Sequence, residues 1–98
     1  MRKTDKKLER EIIRELTQVC ETAKFEHEGF SWLTHEVDYQ RFPQSLKVTL
    51  VFNEQVSENV MRSEFKSLIP EVQSALRPII GAMLPVEQIE ARCEHRLQ

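Results

Sequence analysis

The run GFSWLTHEVDYQRFPQSLKVTLVF, Gly29 to Phe52, decides how the chain is read. In its second half Leu46, Val48, Leu50 and Phe52 alternate with Lys47, Thr49 and Val51, the period of a strand buried on one face. In its first half Leu33, Val37 and Tyr39 share one parity, and Thr34, Glu36 and Asp38 the other. The two halves predict a β-hairpin. Setting Tyr39 against Leu46 places Val37 against Val48, His35 against Leu50 and Leu33 against Phe52, with Asp38 meeting Lys47 as an opposite-charge pair on the other face. Pro43 prevents a regular ladder in the connection Gln40 to Ser45, where Phe42 is expected to tuck over an edge of the core.

Upstream, Leu8, Ile12, Leu16, Val19 and Ala23 recur at steps of three and four in a segment without Gly or Pro, which predicts an amphipathic helix. Thr4 or Asp5 can cap its start, and Gly29 can end it in the left-handed conformation. Its outer face mixes Lys7, Glu11, Arg14, Glu21 and Lys24, as a solvated face does.

Downstream the period lengthens to that of a helix, from Val56 through Leu68, Val72 and Leu76 to Met83, with Ser57 as a cap. Pro70 and Pro78 interrupt it. An interior proline costs about 3 kcal/mol, so one helix is expected from Glu58 to Leu68 and another from Pro70 to Ile80, kinked at Pro78 and leaving at Gly81. The last segment, Gln88 to Leu97, fits either periodicity; a strand is preferred because a two-stranded hairpin is marginal in water and a third strand stabilises it. The expected fold is therefore α+β, a two-layer sandwich in the order α-β-β-α-α-β, with a three-stranded antiparallel or mixed sheet and helices on one face. Residues 1–98 form one domain, residues 1–4 being candidates for disorder.

Composition narrows the function classes. Hydrophobic residues make up 40% and charged residues 31% of the 98, with two glycines, the profile of an ordered protein too small for both a core and a deep catalytic cavity. A net charge of -2 argues against a dedicated nucleic-acid binder, which needs a basic excess to neutralise phosphates. The basic start, with Arg2, Lys3, Lys6 and Lys7, is not followed by the apolar core of a signal peptide, and no run reaches membrane-spanning length; the cytoplasm is the expected compartment. Cys20 and Cys93 show neither a disulfide framework nor a zinc spacing.

No phosphate-binding glycine loop, GxSxG or HExxH is present, so no catalytic residues, cofactor or metal ligands are expected, and the chain reads as a non-enzyme. His35 points away from Glu36 and Asp38 on a strand. Cys93 and His95 share a strand face, with Cys20 or His27 as remote third ligands, but small core cysteines explain the same residues.

The element order resembles the type II KH arrangement that binds single-stranded RNA, although the turn in the place of its GxxG clamp, KSLIPE from Lys66 to Glu71, has no glycine. The run Trp32 to Phe52 behind a charged helix is similar to a group of short uncharacterised bacterial proteins, some labelled Fis-type transcriptional regulators. That resemblance covers most of the chain and implies no site residues. Fis proteins are helical with a C-terminal helix-turn-helix, whereas the clearest strand here lies mid-chain.

Two functions follow as expectations. The first is a protein-interaction or self-associating module, a homo-oligomer included, using the sheet face away from the helices: Trp32, Thr34 and Glu36 on one strand, Thr49 and Val51 on the next. The alternative is nucleic-acid binding through the basic N-terminus with Lys66 and Arg77. Membrane binding is not expected.

Overall fold

Helix α1 spans Lys3–Glu26 in the computed structural model, which describes residues 3–94. Ile12, Leu16 and Ala23 are its buried stripe, with Val19 and Cys20 packed beside them. Lys3 and Thr4 are already helical, so Thr4 and Asp5 lie inside the first turn instead of capping it; Met1 and Arg2 lie outside the described residues. Asp5 there complements the positive end of the helix dipole.

Strand β1 is Phe30–Glu36, β2 is Lys47–Phe52 and β3 is Ile89–Cys93. Helix α2, Glu58–Ile80, lies between β2 and β3 in the chain. The sheet order is β1-β2-β3, with β1 antiparallel and β3 parallel to the central strand, so the α+β architecture holds with a mixed sheet. The C-terminal strand is present over Ile89–Cys93; its expected continuation through His95 to Leu97 lies outside the described residues. Val48, Leu50 and Phe52 face the helices, where they meet Leu68, Val72 and Leu76 of α2 and the stripe of α1.

The hairpin register differs from expectation by two residues. His35 pairs with Val48 and Leu33 with Leu50, and Lys47 is opposite Glu36, not Asp38. A shift of two keeps every side chain on its expected face. Asp38 leaves the strand because it has a better use in the connection: its Oδ1 accepts from Gln40 N at 3.0 Å, starting a 3-10 turn over Tyr39–Arg41. Ser45 clamps the same residue, its Oγ accepting from Asp38 N at 2.9 Å and donating to Asp38 O at 2.7 Å. Tyr39 and Phe42 stack at 6.3 Å over the core edge. At the other end Ser31 is extra to the ladder, a bulge that lets both Phe30 and Leu33 face the helices; Phe30 meets Phe52 edge to face at 5.8 Å.

Pro70 and Pro78 lie inside one continuous helix where two helices were expected. Eight residues apart, they fall on one exposed face with Lys66 and Ser74, whose carbonyls lose an intrahelical partner and can bond water instead. Two interior prolines cost about 6 kcal/mol. Burying Leu68, Val72 and Leu76 on the opposite face returns about 1.5–3 kcal/mol each, and a break would take them out of one stripe. Ser57 caps the start, its Oγ accepting from Val60 N at 3.2 Å, and Gly81 ends the helix at φ 82°, as expected.

Gly29 does not have a positive φ. Its role is space: a Cβ there would lie 2.6 Å from both Val56 Cγ2 and Glu64 Oε1.

Two experiments check this packing. Leu50→Ala removes a fully buried side chain and is expected to cost about 2–5 kcal/mol in chemical denaturation, against about 0.5–1.5 for Thr49→Ala, which loses a single hydrogen bond to Glu90; equal losses would contradict the two faces. Asn tolerates the left-handed conformation, so Gly81→Asn is expected to be milder than Gly81→Ala, whereas at Gly29 both substitutions collide and Asn brings no relief.

Candidate functional site

The sheet face turned away from the helices is built of three rows across the strands. Trp32, Val51 and Arg92 form one row, Thr34, Thr49 and Glu90 the next, and Glu36 with Lys47 the third. The five residues expected to bind a partner all lie on this face. They are not equally accessible. Trp32 is 44% exposed, and Thr34 and Glu36 are exposed, but Thr49 and Val51 are 7% and 3% exposed. Central strand position is the reason, since each has a side chain from an outer strand on either side. Trp32, Thr34 and Glu36 are therefore the accessible part of the expected surface, and Val51 does not widen the exposed apolar area.

Glu90 organises the polar part. Its Oε2 pairs with Lys47 Nζ at 3.2 Å, while Oε1 accepts from Thr49 Oγ1 at 3.1 Å and from Arg92 at 3.3 Å. The hydrogen bond from Lys47 is the main reason that the Glu90 carboxyl titrates below its usual 4.5, with Thr49 and Arg92 adding to it against partial desolvation. Ser31, at the bulge, donates to Glu94 at 3.4 Å past the end of β2.

On the helix side, α1 and β1 bound a groove of about 360 Å³ lined by Ile13, Cys20, Leu33 and His35. His35 is on the face opposite Glu36, as the strand period requires. Cys93 Sγ lies 3.9 Å from Asn53 O and 3.7 Å from Glu94 O, and His95, its candidate co-ligand in the sequence, lies outside the described residues. Both cysteines are free thiols. Among the described residues no helix is long and apolar enough to cross a membrane. No family model, curated protein or solved structure matches the chain.

The titration of Glu90 gives a pH test. Its lowered folded-state pKa stabilises the protein above the usual carboxylate pKa of 4.5, and that contribution disappears as pH falls through the lower folded value. Denaturation midpoints of the unaltered chain and Glu90→Gln should therefore differ at neutral pH and converge in acid. A constant gap would mean that the carboxylate's charge contributes nothing.

Proposed function

We propose that this protein is a cytoplasmic, non-enzymatic interaction module that self-associates through the open face of its sheet, with Trp32 of one copy packing against the same face of another. The exposed Trp32 carries the reading: it is the residue type most enriched among binding hot spots, and it is 44% accessible on a face that carries no helix among the described residues. The charges of the face favour a second copy. Glu36 and Glu90 cancel Lys47 and Arg92, and a neutral mosaic can meet its own image across a twofold axis with plus against minus. The same balance offers a phosphate backbone no net attraction. Of the cations of the nucleic-acid reading, Lys3, Lys6 and Lys7 are exposed on α1 and Lys66 and Arg77 on α2, in the other layer, while Arg2 lies outside the described residues. Free Cys20 and Cys93 agree with a reducing compartment.

Sedimentation over a concentration series is the test. The unaltered chain should dimerise, and Trp32→Ala, which removes a hot spot of about 2 kcal/mol from each copy, should weaken the dimer by at least roughly 30-fold, with an unchanged circular dichroism spectrum. Val51 is too buried to serve as a test position. A chain that stays monomeric throughout would remove self-association, and salt-sensitive gel shifts with single-stranded RNA or duplex DNA would put nucleic-acid binding in its place.

A further inference from the structure

Four metal-ligating side chains converge where the end of α1 meets α2. Glu26 is the last residue of α1 and His27 follows it, while Glu64 and Glu71 lie two turns apart on α2. Glu26, His27 and Glu71 each offer a ligand atom within 4.8 Å of the other two. Glu64 stands at the ring edge of His27, its Oε2 3.8 Å from Nδ1, beyond hydrogen-bond length. Its other oxygen, Oε1, is buried without a hydrogen-bond partner, in the space that Gly29 leaves by having no Cβ. The side chains of His27 and Glu64 are only 16% and 15% exposed, so the ring and the carboxylate are held rather than loose.

We propose that this junction binds a divalent first-row transition-metal ion through Glu26, His27 and Glu71, with Glu64 as the carboxylate that positions the His27 ring. Charge is the first argument. Among the described residues no lysine or arginine pairs with Glu26, Glu64 or Glu71, and the C-terminal end of α1 adds its own partial negative charge. A protonated His27 would offset one of these charges. A divalent ion offsets two and bonds to three side chains at once. Donor chemistry selects the ion: one imidazole and two carboxylates suit zinc, cobalt, manganese or iron(II), and not the soft Cu(I), which takes thiolate and thioether ligands. Metal–ligand distances of about 2.0–2.2 Å require the donors to close by only about an ångström, within the reach of glutamate rotamers. A carboxylate behind a ligating histidine is the usual support of such a ring. A groove of about 690 Å³ opens beside the junction, walled by Glu26, Glu28 and Glu64 but not by His27 or Glu71, so an ion would reach the site past the exposed Glu26.

The test uses tag-free full-length protein with Cys20→Ser and Cys93→Ser, which removes thiolate binding. Titration with Co²⁺, followed by visible absorption, should show saturation at a single ion per chain without a thiolate charge-transfer band, and Zn²⁺ should raise the thermal midpoint. His27→Ala and Glu71→Gln should each weaken Co²⁺ binding by tenfold or more, and Glu64→Gln by about tenfold, the effect expected of a supporting carboxylate. Glu26→Gln, at an exposed position, keeps the fold testable if the buried variants do not fold, and should also weaken binding. His35→Ala and His95→Ala should leave it unchanged. No uptake, or uptake that Glu26→Gln and Glu71→Gln leave intact, overturns the proposal.

Discussion

Strand β2 has to satisfy neighbours on every side, and the fold follows from that. It pairs with β1 along one edge and β3 along the other, carries α1 and α2 against one face, and lies beneath the outer-strand side chains on the other. Five consecutive residues, Val48 to Phe52, are buried in consequence, although they alternate in direction. Only apolar or internally hydrogen-bonded side chains suit such a strand. Thr49 meets the condition by donating to Glu90, which is then held by Lys47 and Arg92, so the polar network of the outer face grows from the burial of one hydroxyl.

Parallel pairing of β2 with β3 imposes the second requirement, a crossover that returns the chain to the starting end of the sheet. Helix α2 provides it with 23 residues, about 35 Å at 1.5 Å per residue, longer than a strand of six residues at about 20 Å. The excess carries the chain past the sheet. Gly81 turns it, Leu84 is buried to anchor the return, and Gln73 holds the Leu84 carbonyl at 2.9 Å. Gln88 then donates to the carbonyls of Pro43 and Leu46, fastening the start of β3 to the hairpin connection. A helix broken at Pro70 would have kept neither its single stripe nor its length.

Periodicity was enough to read the helix faces and the strand faces, because each depends on which side chains are buried together; the C-terminal segment fitted either period, and the need of a hairpin for a third strand decided it. It could not set the register. Residues two apart share a face, so Glu36 and Asp38 were equally good partners for Lys47 until the Asp38 cap and the Ser45 clamp decided between them. Exposure on the sheet face was also hidden, since Val51 and Trp32 share a face but one lies on a central and the other on an outer strand. The acidic junction left still less trace. Glu26 and His27 are neighbours in sequence, yet Glu71 is brought to them by the docking of α1 on α2, and no local spacing encodes that docking. Gly29 lies beside the junction, but a glycine after a helix reads as a left-handed stop, which hid its part in making space for Glu64.

Gly29 shows how closely the two layers are tied at that junction. Its carbonyl accepts from Asn53 N at 2.7 Å, which closes the hairpin beyond the last strand pair, while its missing Cβ admits Glu64 and Val56 from the α2 side. The chain has only two residues, Phe30 and Ser31, between this point and Trp32. The ladder bulge at Ser31 uses them to bring Phe30 onto Phe52 and still send Trp32 to the opposite face. Without the bulge, strict alternation would place Phe30 on the same face as Trp32, and the core would lose its edge-to-face pair. The close approach at Gly29 and the outward position of Trp32 are therefore consequences of one backbone path, which has to clear α2 before it can join the sheet.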